Sequence, residues 1–586
     1  MEITDGGDLL LDTVTASQFS VKATGTARLS GQINTSGGTT VAGGRLLVGD
    51  VAGSSASIIG ALMVDSGAML GGYGTVGSTT IASGGIIAPG NSIGTLTVSG
   101  DLTLAAGSVY QADIAGNGTS DRIAVSGNAT IGGSHVEITA LDAETSYQNG
   151  QAYTILTAGS GVSGQFADAV TQSAFLDLSL DHQANAVDLI IKLKDTGPGP
   201  EPEEPKPLFT TVADTRNQLA TAGALDTLAQ TGPSLALYNK LLVLNADQAR
   251  AAFDGLSGEI HASAKTALIE DSRFVRDAAS DRVRSAFDGV AAVSVPVMAY
   301  DNGGPVLAAA TADRFAVWGQ GFGSWGHNDN DGNAARLDHD TGGFLAGADM
   351  EMFDTWRLGV LAGYSRSSFD ADDRRSSGTS DNYHLGLYGG TQWGNLGFRS
   401  GLAYSWHRIE TGRSAVFDGF ADHLNADYRA GTFQAFGELG YRIDTPALSL
   451  EPFANLAYVS LRSDGFTEKG GIAALSVNSE TTNTTFTTLG LRAAASVILG
   501  SVDTTVRGTI GWKHAFNDTT PLSSNAFATG GVFTVAGAPI ARDSALIEAG
   551  LDMAITPAAT LGLAYNGQIA SDARQHGFKA NLGVRF

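Results

Sequence analysis

The last nine residues, Phe578-Lys-Ala-Asn-Leu-Gly-Val-Arg-Phe586, put Phe578, Ala580, Leu582, Val584 and Phe586 on one face of a strand and Lys579, Asn581, Gly583 and Arg585 on the other. Strict alternation that ends on a terminal aromatic suits the closing strand of a transmembrane β-barrel, where one face meets lipid and the other meets water. Helical spans are excluded, because no run of about 18 apolar residues occurs anywhere in the chain. At 586 residues the chain exceeds one ordinary core, and two or more domains are expected.

A formal net charge of -24 excludes nucleic acid as a partner, since its phosphates are repelled at long range. The chain holds 77 glycines and no cysteine. The absence of cysteine suits a polypeptide that threads a narrow pore, where cross-links closed beforehand in an oxidising compartment would block passage. Met1-Glu-Ile-Thr-Asp lacks a basic n-region and Leu9-Leu-Leu11 is too short for a signal core, so the natural N-terminus is expected to lie further upstream.

One linker divides the chain. Gly197-Pro-Gly-Pro-Glu-Pro-Glu-Glu-Pro-Lys-Pro207 favours an extended polyproline spacer over packed structure. All six tryptophans (Trp318, Trp325, Trp356, Trp393, Trp406 and Trp512) lie beyond it, as expected if aromatic girdles mark a membrane interface in that half alone. Before it, Thr/Val/Ile runs recur between glycine corners at a loose spacing near 20 residues. They include Gly43–Gly49, Ala61–Leu70, Thr79–Ala88 and Gly94–Leu104, and suit a right-handed parallel β-helix, with a β-sandwich as the alternative. After about residue 105, segments such as Ser134–Thr139 and Ala186–Leu193 alternate like antiparallel strands, as a cap on the solenoid would.

Beyond the linker, Asn245 with Gln248 forms a capping-box pattern opening a helix over Ala246–Leu256. Leu256, Ile260, Ala264, Leu268, Val275, Ala279, Val283 and Phe287 then follow one stripe, while Arg273 with Asp277 and Arg284 with Asp288 stand at i,i+4. Because this segment precedes the barrel strands, it is expected to lie in the lumen over about 256–288, with Glu259, Phe274 and Arg276 among its residues. From Asp313 about twelve alternating segments follow. Phe433, Ala435, Leu439, Tyr441 and Ile443 are expected to face lipid; Gln434, Glu438 and Arg442, with Arg399, Arg507 and Glu548, are expected on the lumenal wall. Long connectors near 327–336, 369–380, 413–425, 463–480 and 517–536 alternate with short turns near 353–354, 394–395, 445–446, 500–501 and 557–558. Both ends of the barrel then fall on the side of the short turns.

These features together resemble a classical monomeric autotransporter of type V secretion. Leu256-Ser-Gly-Glu-Ile-His-Ala-Ser263 with Asp271-Ser-Arg-Phe-Val-Arg-Asp277 is similar to the family's barrel-entry helix, and Ala88-Pro-Gly-Asn-Ser-Ile-Gly-Thr-Leu-Thr-Val-Ser-Gly100 resembles the end of a pertactin-like passenger. Within the latter, Pro89, Gly90, Asn91, Ser92 and Gly94 carry the motif. The resemblance implies a barrel inserted into the outer membrane by the assembly machinery after escort by periplasmic chaperones. It implies a passenger that passes outward as a hairpin and folds outside. It also implies that Phe578, Ala580, Leu582, Val584 and above all Phe586 form the assembly signal. Some relatives cut the passenger free at an Asn-Asn pair, which this chain does not contain.

Gly90-Asn-Ser-Ile-Gly94 fits the nucleophile-elbow pattern, but Pro89 precedes it and a Thr/Val strand follows, so no catalytic residue is assigned. His327-Asn-Asp-Asn-Asp-Gly332 with Asp338-His-Asp340 lacks cation-loop spacing and is read as a solvated loop, as are Arg374 and Arg375. No metal or cofactor is expected. The chain is thus expected to be all-β with a helical linker: passenger 1–195, Pro-rich linker 196–208, helical linker 209–312 and a twelve-stranded barrel 313–586. The expected function is export and surface display of its own passenger, with adhesion to host surface molecules as a further expectation and no enzymatic activity. Two alternatives stay open, an enzymatic passenger (protease or esterase) encoded upstream and an outer-membrane channel.

Overall fold

The computed structural model describes all residues except 6, 142–146, 195–206, 293–296, 302–303, 309–314, 354, 500–501, 557–558 and 585–586. The Pro-rich spacer, Phe586 and two of the expected short turns therefore lie outside the described residues. The chain forms two compact units, one of Met1–Val212 with Leu228–Arg250 and Asp418–Phe420, the other of the remainder. Among the described residues no helix is long and apolar enough to cross a membrane.

The first unit is a curled, β-helix-like parallel sheet. Short strands stack in parallel register, so that Leu62, Thr79, Leu102 and Ala129 fall in one column and Val64, Ile81, Leu104 and Ile131 in another. On other faces Ile58, Val76, Val98 and Val125 align, as do Leu46, Leu70, Ile87, Tyr110 and Val136. These columns are the core, each member at most 5% exposed. Branched side chains suit it because each rung meets the rung above at strand spacing. Parallel pairing rules out the β-sandwich. The soft repeat has a visible cause, since Leu62 pairs with Thr79 but Asn128 pairs with Gly161, the corners lengthening along the chain. The antiparallel cap begins later than expected. His135–Ala140 still pairs in parallel with Val109–Ile114, and the first antiparallel partners are Ala152–Ala158, Leu176–His182 and Ala186–Leu193. Alternation alone does not distinguish the two directions.

The second unit contains a closed antiparallel barrel of twelve strands: β1 Ala316–Asn328, β2 Leu337–Met352, β3 Trp356–Ala371, β4 Ser376–Trp393, β5 Leu396–Phe417, β6 Phe420–Tyr441, β7 Ser449–Ser463, β8 Glu480–Leu499, β9 Val502–Asn517, β10 Asp543–Thr556, β11 Ala559–Ile569 and β12 Ala573–Val584. Each pairs with the next, and β1 closes onto β12 from Gly323↔Phe578 to Asn328↔Ala573. On β4, Tyr383 and Trp393 are both outward and exposed. At about 3.4 Å per residue and a tilt near 45° they stand about 24 Å apart along the barrel axis, the height of an apolar band flanked by aromatics.

Several expectations need correction. Connectors 369–380 and 413–425 are not long loops: β3 runs to Ala371 with β4 starting at Ser376, and β5 runs to Phe417 with β6 starting at Phe420. Their polar alternation reads as loop, yet the strands continue to pair, Ser376 opposite Arg413. The connections after β7 and β9 are long and build a separate four-stranded antiparallel sheet from Phe466–Thr467, Leu475–Val477, Leu522–Phe527 and Val532–Ala536. Trp318 is no girdle residue; it faces inward, 4% exposed, and its Nε1 donates to the Tyr388 hydroxyl at 2.6 Å. The expected helical linker also contains a hairpin, Val297–Asp301 with Gly304–Ala308, whose first strand pairs with the start of β1.

Candidate functional site in the barrel lumen

Among the described residues five α-helices precede the barrel: α1 Arg216–Asp226, α2 Gly232–Leu242, α3 Ala246–Leu256, α4 Ile260–Asp271 and α5 Arg273–Ala286. The capping box before α3 forms as its sequence requires, with Gln248 N donating to Asn245 Oδ1 at 2.9 Å and Asn245 N to Gln248 Oε1 at 3.0 Å. The expected continuous helix is broken at Gly258, whose φ of 70° only glycine adopts freely, and again at Ser272. Nor is it amphipathic in its setting. The stripe residues Leu256, Ile260, Leu268, Val275 and Val283 are buried, but so are Glu259, Lys265, Glu270, Arg273, Arg276 and Arg284 on the other faces. A helix enclosed by a barrel has no solvent side, and its charged faces meet the inward residues of the strands.

At the end of the barrel carrying the long connections, these residues form a collar. Glu259, 2% exposed, accepts from Ala335 N at 2.7 Å and from Arg374 Nε at 3.1 Å. Arg374 is therefore a half-buried tie rather than a solvated loop residue, with Asp254 as a second partner at 3.4 Å. His261 contacts Glu468 at 2.8 Å, and Arg413 donates to both oxygens of the same carboxylate at 2.7 and 2.6 Å. Lys265 Nζ donates to Glu480 at 2.9 Å and to Leu522 O at 2.5 Å, while Ser263 Oγ accepts from Ala538 N at 3.0 Å. The loop sheet is thus fastened to α4 by backbone groups, a role its sequence does not announce. His339, read with the external loop, lies in β2 and faces Glu270 at 3.6 Å, both at most 5% exposed.

Towards the other end, α5 is held by ion pairs. Arg282 donates from Nε and Nη2 to the Asp349 carboxylate at 2.7 and 2.8 Å, and Arg357 and Tyr388 converge on the same group. Arg284 pairs with Asp281 at 2.7 Å rather than with Asp288, and Lys579 of β12 reaches Asp281 at 3.3 Å. The expected Arg273–Asp277 pair also does not form: Arg273 Nη2 donates to Ser324 Oγ at 3.4 Å, while Asp277 is exposed on the helix surface. Phe274 stacks on Phe322 with ring centroids 4.6 Å apart. On the wall, Arg399 and Arg492 each bind both Glu438 and Glu451, at 2.8 to 3.0 Å. Arg507 binds Glu548 at 2.7 Å and Asp552 at 3.0 Å.

Of the wall residues named from alternation, Arg399, Glu438 and Arg507 are buried inward and Glu548 is half-buried there, whereas Arg442 stands past the end of β6 and binds Asp444 at 2.9 Å. In β12, Phe578 points outward, 57% exposed; Ala580, Leu582 and Val584 follow in the strand. The alternation missed Asp349, Arg357, Glu451 and Arg492 only because none was singled out, whereas Lys579 lies inward as its face of the last strand predicts. All occupy the inward parity of their strands.

In the passenger motif, Pro89 ends a strand, Gly90 takes φ 74°, and Asn91 and Ser92 are exposed in a bend followed by the strand Thr95–Val98. Gly94 N donates to Asp121 Oδ1 at 2.7 Å, and Asp113 N to Asp121 Oδ2 at 2.9 Å. Asp121 is 3% exposed, and burial pushes its carboxyl up to about 7 against the two backbone donors. It is the residue that fixes this corner, and it carries no sequence signature of its own.

Comparison with known proteins follows the same division. Residues 317–566 match the family described as autotransporter beta-domain. Two extracellular serine proteases of Serratia marcescens are 34% and 33% identical over 533 and 532 residues, 83% of this chain and 48% of each relative. The chain therefore spans about half the length of the curated relatives it matches. The translocator domain of the autotransporter NalP from Neisseria meningitidis shares 16% identity, covering 55% of this chain and 99% of that one, with a TM-score of 0.39. The expectation of a non-enzymatic protein is overturned here, because relatives aligned along most of the chain are extracellular proteases. The family match runs from β1 into β11, strands that close into one barrel around α4 and α5, and this C-terminal part of the chain is accordingly an autotransporter β-domain of the bacterial outer membrane.

Proposed function

We propose that this chain is the secretion portion of an extracellular serine protease, exporting a passenger whose catalytic part is encoded upstream of the residues seen here. The observation that carries the reading is the 34% identity to proteases of which this chain spans 48%. In this reading residues 313–586 are the translocator, 256–288 the lumen segment, 196–208 a spacer, and 1–195 the right-handed β-helical end of the passenger, which folds outside. Direction comes from folding: each coil that stacks adds buried apolar surface and opposes return through the pore. Assembly machinery and periplasmic chaperones act on the barrel, with the β12 face of Phe578, Ala580, Leu582, Val584 and Phe586 as its address.

The relatives' description favours an enzymatic cargo over an adhesive one, and the helices fastened inside the lumen argue against an open channel. The test is expression behind a supplied signal peptide, with and without the natural upstream sequence. External protease should remove residues 1–195 and leave an embedded barrel. The longer form should release proteolytic activity that serine-directed inhibitors abolish. A passenger that stays protected until the outer membrane is broken sinks the translocator reading. Export without any proteolysis by the longer form sinks the enzymatic one.

A further inference from the structure

The helix does not fill the lumen evenly. The backbone of α5 runs closest to β3–β5, and Val283 packs where Gly390 has no side chain; a Cβ there would lie 2.6 Å from Val283 Cγ1. On the opposite flank a cavity of about 120 Å³ separates α5 from strands β6–β12. Three cations lining it, Arg273, Arg276 and Lys513, are only 8%, 6% and 4% exposed, yet among the described residues none has a carboxylate within ion-pair distance. Arg276 has Ser272 Oγ at 3.1 Å and Gln434 Oε1 at 3.5 Å; Lys513 has Gln568 Oε1 at 2.9 Å. The Phe486 ring lies beneath both, at 5.5 and 4.5 Å, and Arg273 Nε has no partner. Of the carboxylates lining the cavity, Asp281, Glu438 and Glu548 are already ion-paired, which leaves to these cations Asp277, exposed on this flank, with Glu270 and Asp271 near but beyond ion-pair distance. Elsewhere in the lumen the wall arginines Arg357, Arg399, Arg492 and Arg507 are matched to carboxylates.

Buried charge without a counter-charge is costly, and a lumen that keeps it on one flank only is suited to an anionic occupant that comes and goes. The chain itself supplies one. Residues 1–195 hold 17 acidic against 6 basic residues, and between Arg45 and Lys192 twelve acidic residues face Arg122 alone. We infer that the β8–β12 flank is the electropositive track along which the extended, acidic passenger moves while the segment that becomes α4–α5 occupies the β3–β5 side. The inference rests on the translocator reading above. Focusing of the field by the low-dielectric wall raises the local concentration of acidic segments. Cations held by weak polar and ring partners can exchange them without breaking a strong pair.

The test is pulse-labelling of the full chain behind a supplied signal peptide, timing when the passenger becomes accessible to external protease and following barrel assembly separately by heat-modifiable migration. With the barrel assembled, Lys513→Glu should slow passenger appearance about threefold or more. Neutralising the exposed Asp12, Asp50 and Asp177 to Asn should partly restore the rate in that barrel and lower it in the unaltered one. Equal rates in the two barrels, or slowing that ignores passenger charge, would overturn the track. If Lys513→Glu fails to assemble, the Asn passenger in the unaltered barrel decides: slower transit supports the track and an unchanged rate overturns it. A passenger that never emerges from the unaltered chain defeats the translocator reading itself, and this inference with it.

Discussion

Arg282 Nε and Nη2 meet the two oxygens of Asp349 at 2.7 and 2.8 Å, joining α5 to β2 with both side chains essentially inaccessible. Arg357 and Tyr388 converge on the same carboxylate, so a single acidic group is shared by one cation from the helix and one from the wall. Removing one member of such a pair strands the other's charge in a dry site, a cost of about 3–5 kcal/mol. Asp349→Asn is therefore expected to loosen α5 in an otherwise assembled barrel. Planar-bilayer recordings should show larger or more frequent openings than in the unaltered protein. Unchanged conductance would mean that the pair does not hold the helix.

The collar makes a separate prediction. Lys265 holds β8 through Glu480 and the loop after β9 through Leu522 O, and the substitution Lys265→Met keeps the length of the side chain while removing both bonds. Loss of a charged hydrogen bond inside a buried site costs about 1–3 kcal/mol. That is too little to unfold a barrel and enough to free a loop. Intact cells bearing the variant should be cleaved within residues 518–542 by added protease at concentrations that spare the unaltered chain. The conductance change should be smaller than for Asp349→Asn.

The passenger should respond to pH through Asp121. Its carboxyl, pushed up to about 7 in the folded state, titrates near 3.8 when the chain is unfolded, so between these values the folded form binds the extra proton. Stability from this group is then fullest in acid and falls as pH rises through about 4 to 7, by a few kcal/mol at most. Surface-exposed passenger should resist added protease better at pH 5 than at pH 8. Asp121→Asn cannot titrate and should flatten the dependence. An Asp121→Asn passenger with the same pH slope as the unaltered one would assign the effect to another group.

How far the sequence anticipates this molecule depends on which physical rule a segment obeys. Alternation is a local rule, and it placed Phe433, Leu439 and Tyr441 outside and Gln434, Glu438 and Arg507 inside. Twelve strands and their closure followed from the same rule. Partnership is not local. Arg374 reads as solvated between acidic neighbours, but its partner Glu259 lies 115 positions away, at the entry of α4. Arg284 pairs three residues back rather than four forward, because Asp281 also faces Lys579 across the lumen. Trp318 differs from the other tryptophans only in parity, which a count of aromatics ignores. The direction of the strand at Ser134–Thr139 escaped for a related reason: period two is common to parallel and antiparallel strands.

The seam between first and last strands carries the final prediction. Trp325 of β1 and Phe578 of β12 stack across it with centroids 5.8 Å apart and planes inclined by 25°, and Gly323↔Phe578 is the last pair in that ladder. The closing contact therefore has two components, burial of Phe578 in lipid and an aromatic pair worth about 0.5–1.5 kcal/mol beyond burial. Phe578→Leu keeps the first and removes the second; Phe578→Tyr keeps both. If the stack helps the strand ends find each other, Phe578→Leu should lower the heat-modifiable, closed fraction at early times after synthesis while Phe578→Tyr should not. A closed fraction that falls only with Phe578→Ala would assign this residue to lipid contact alone, leaving closure to the backbone ladder.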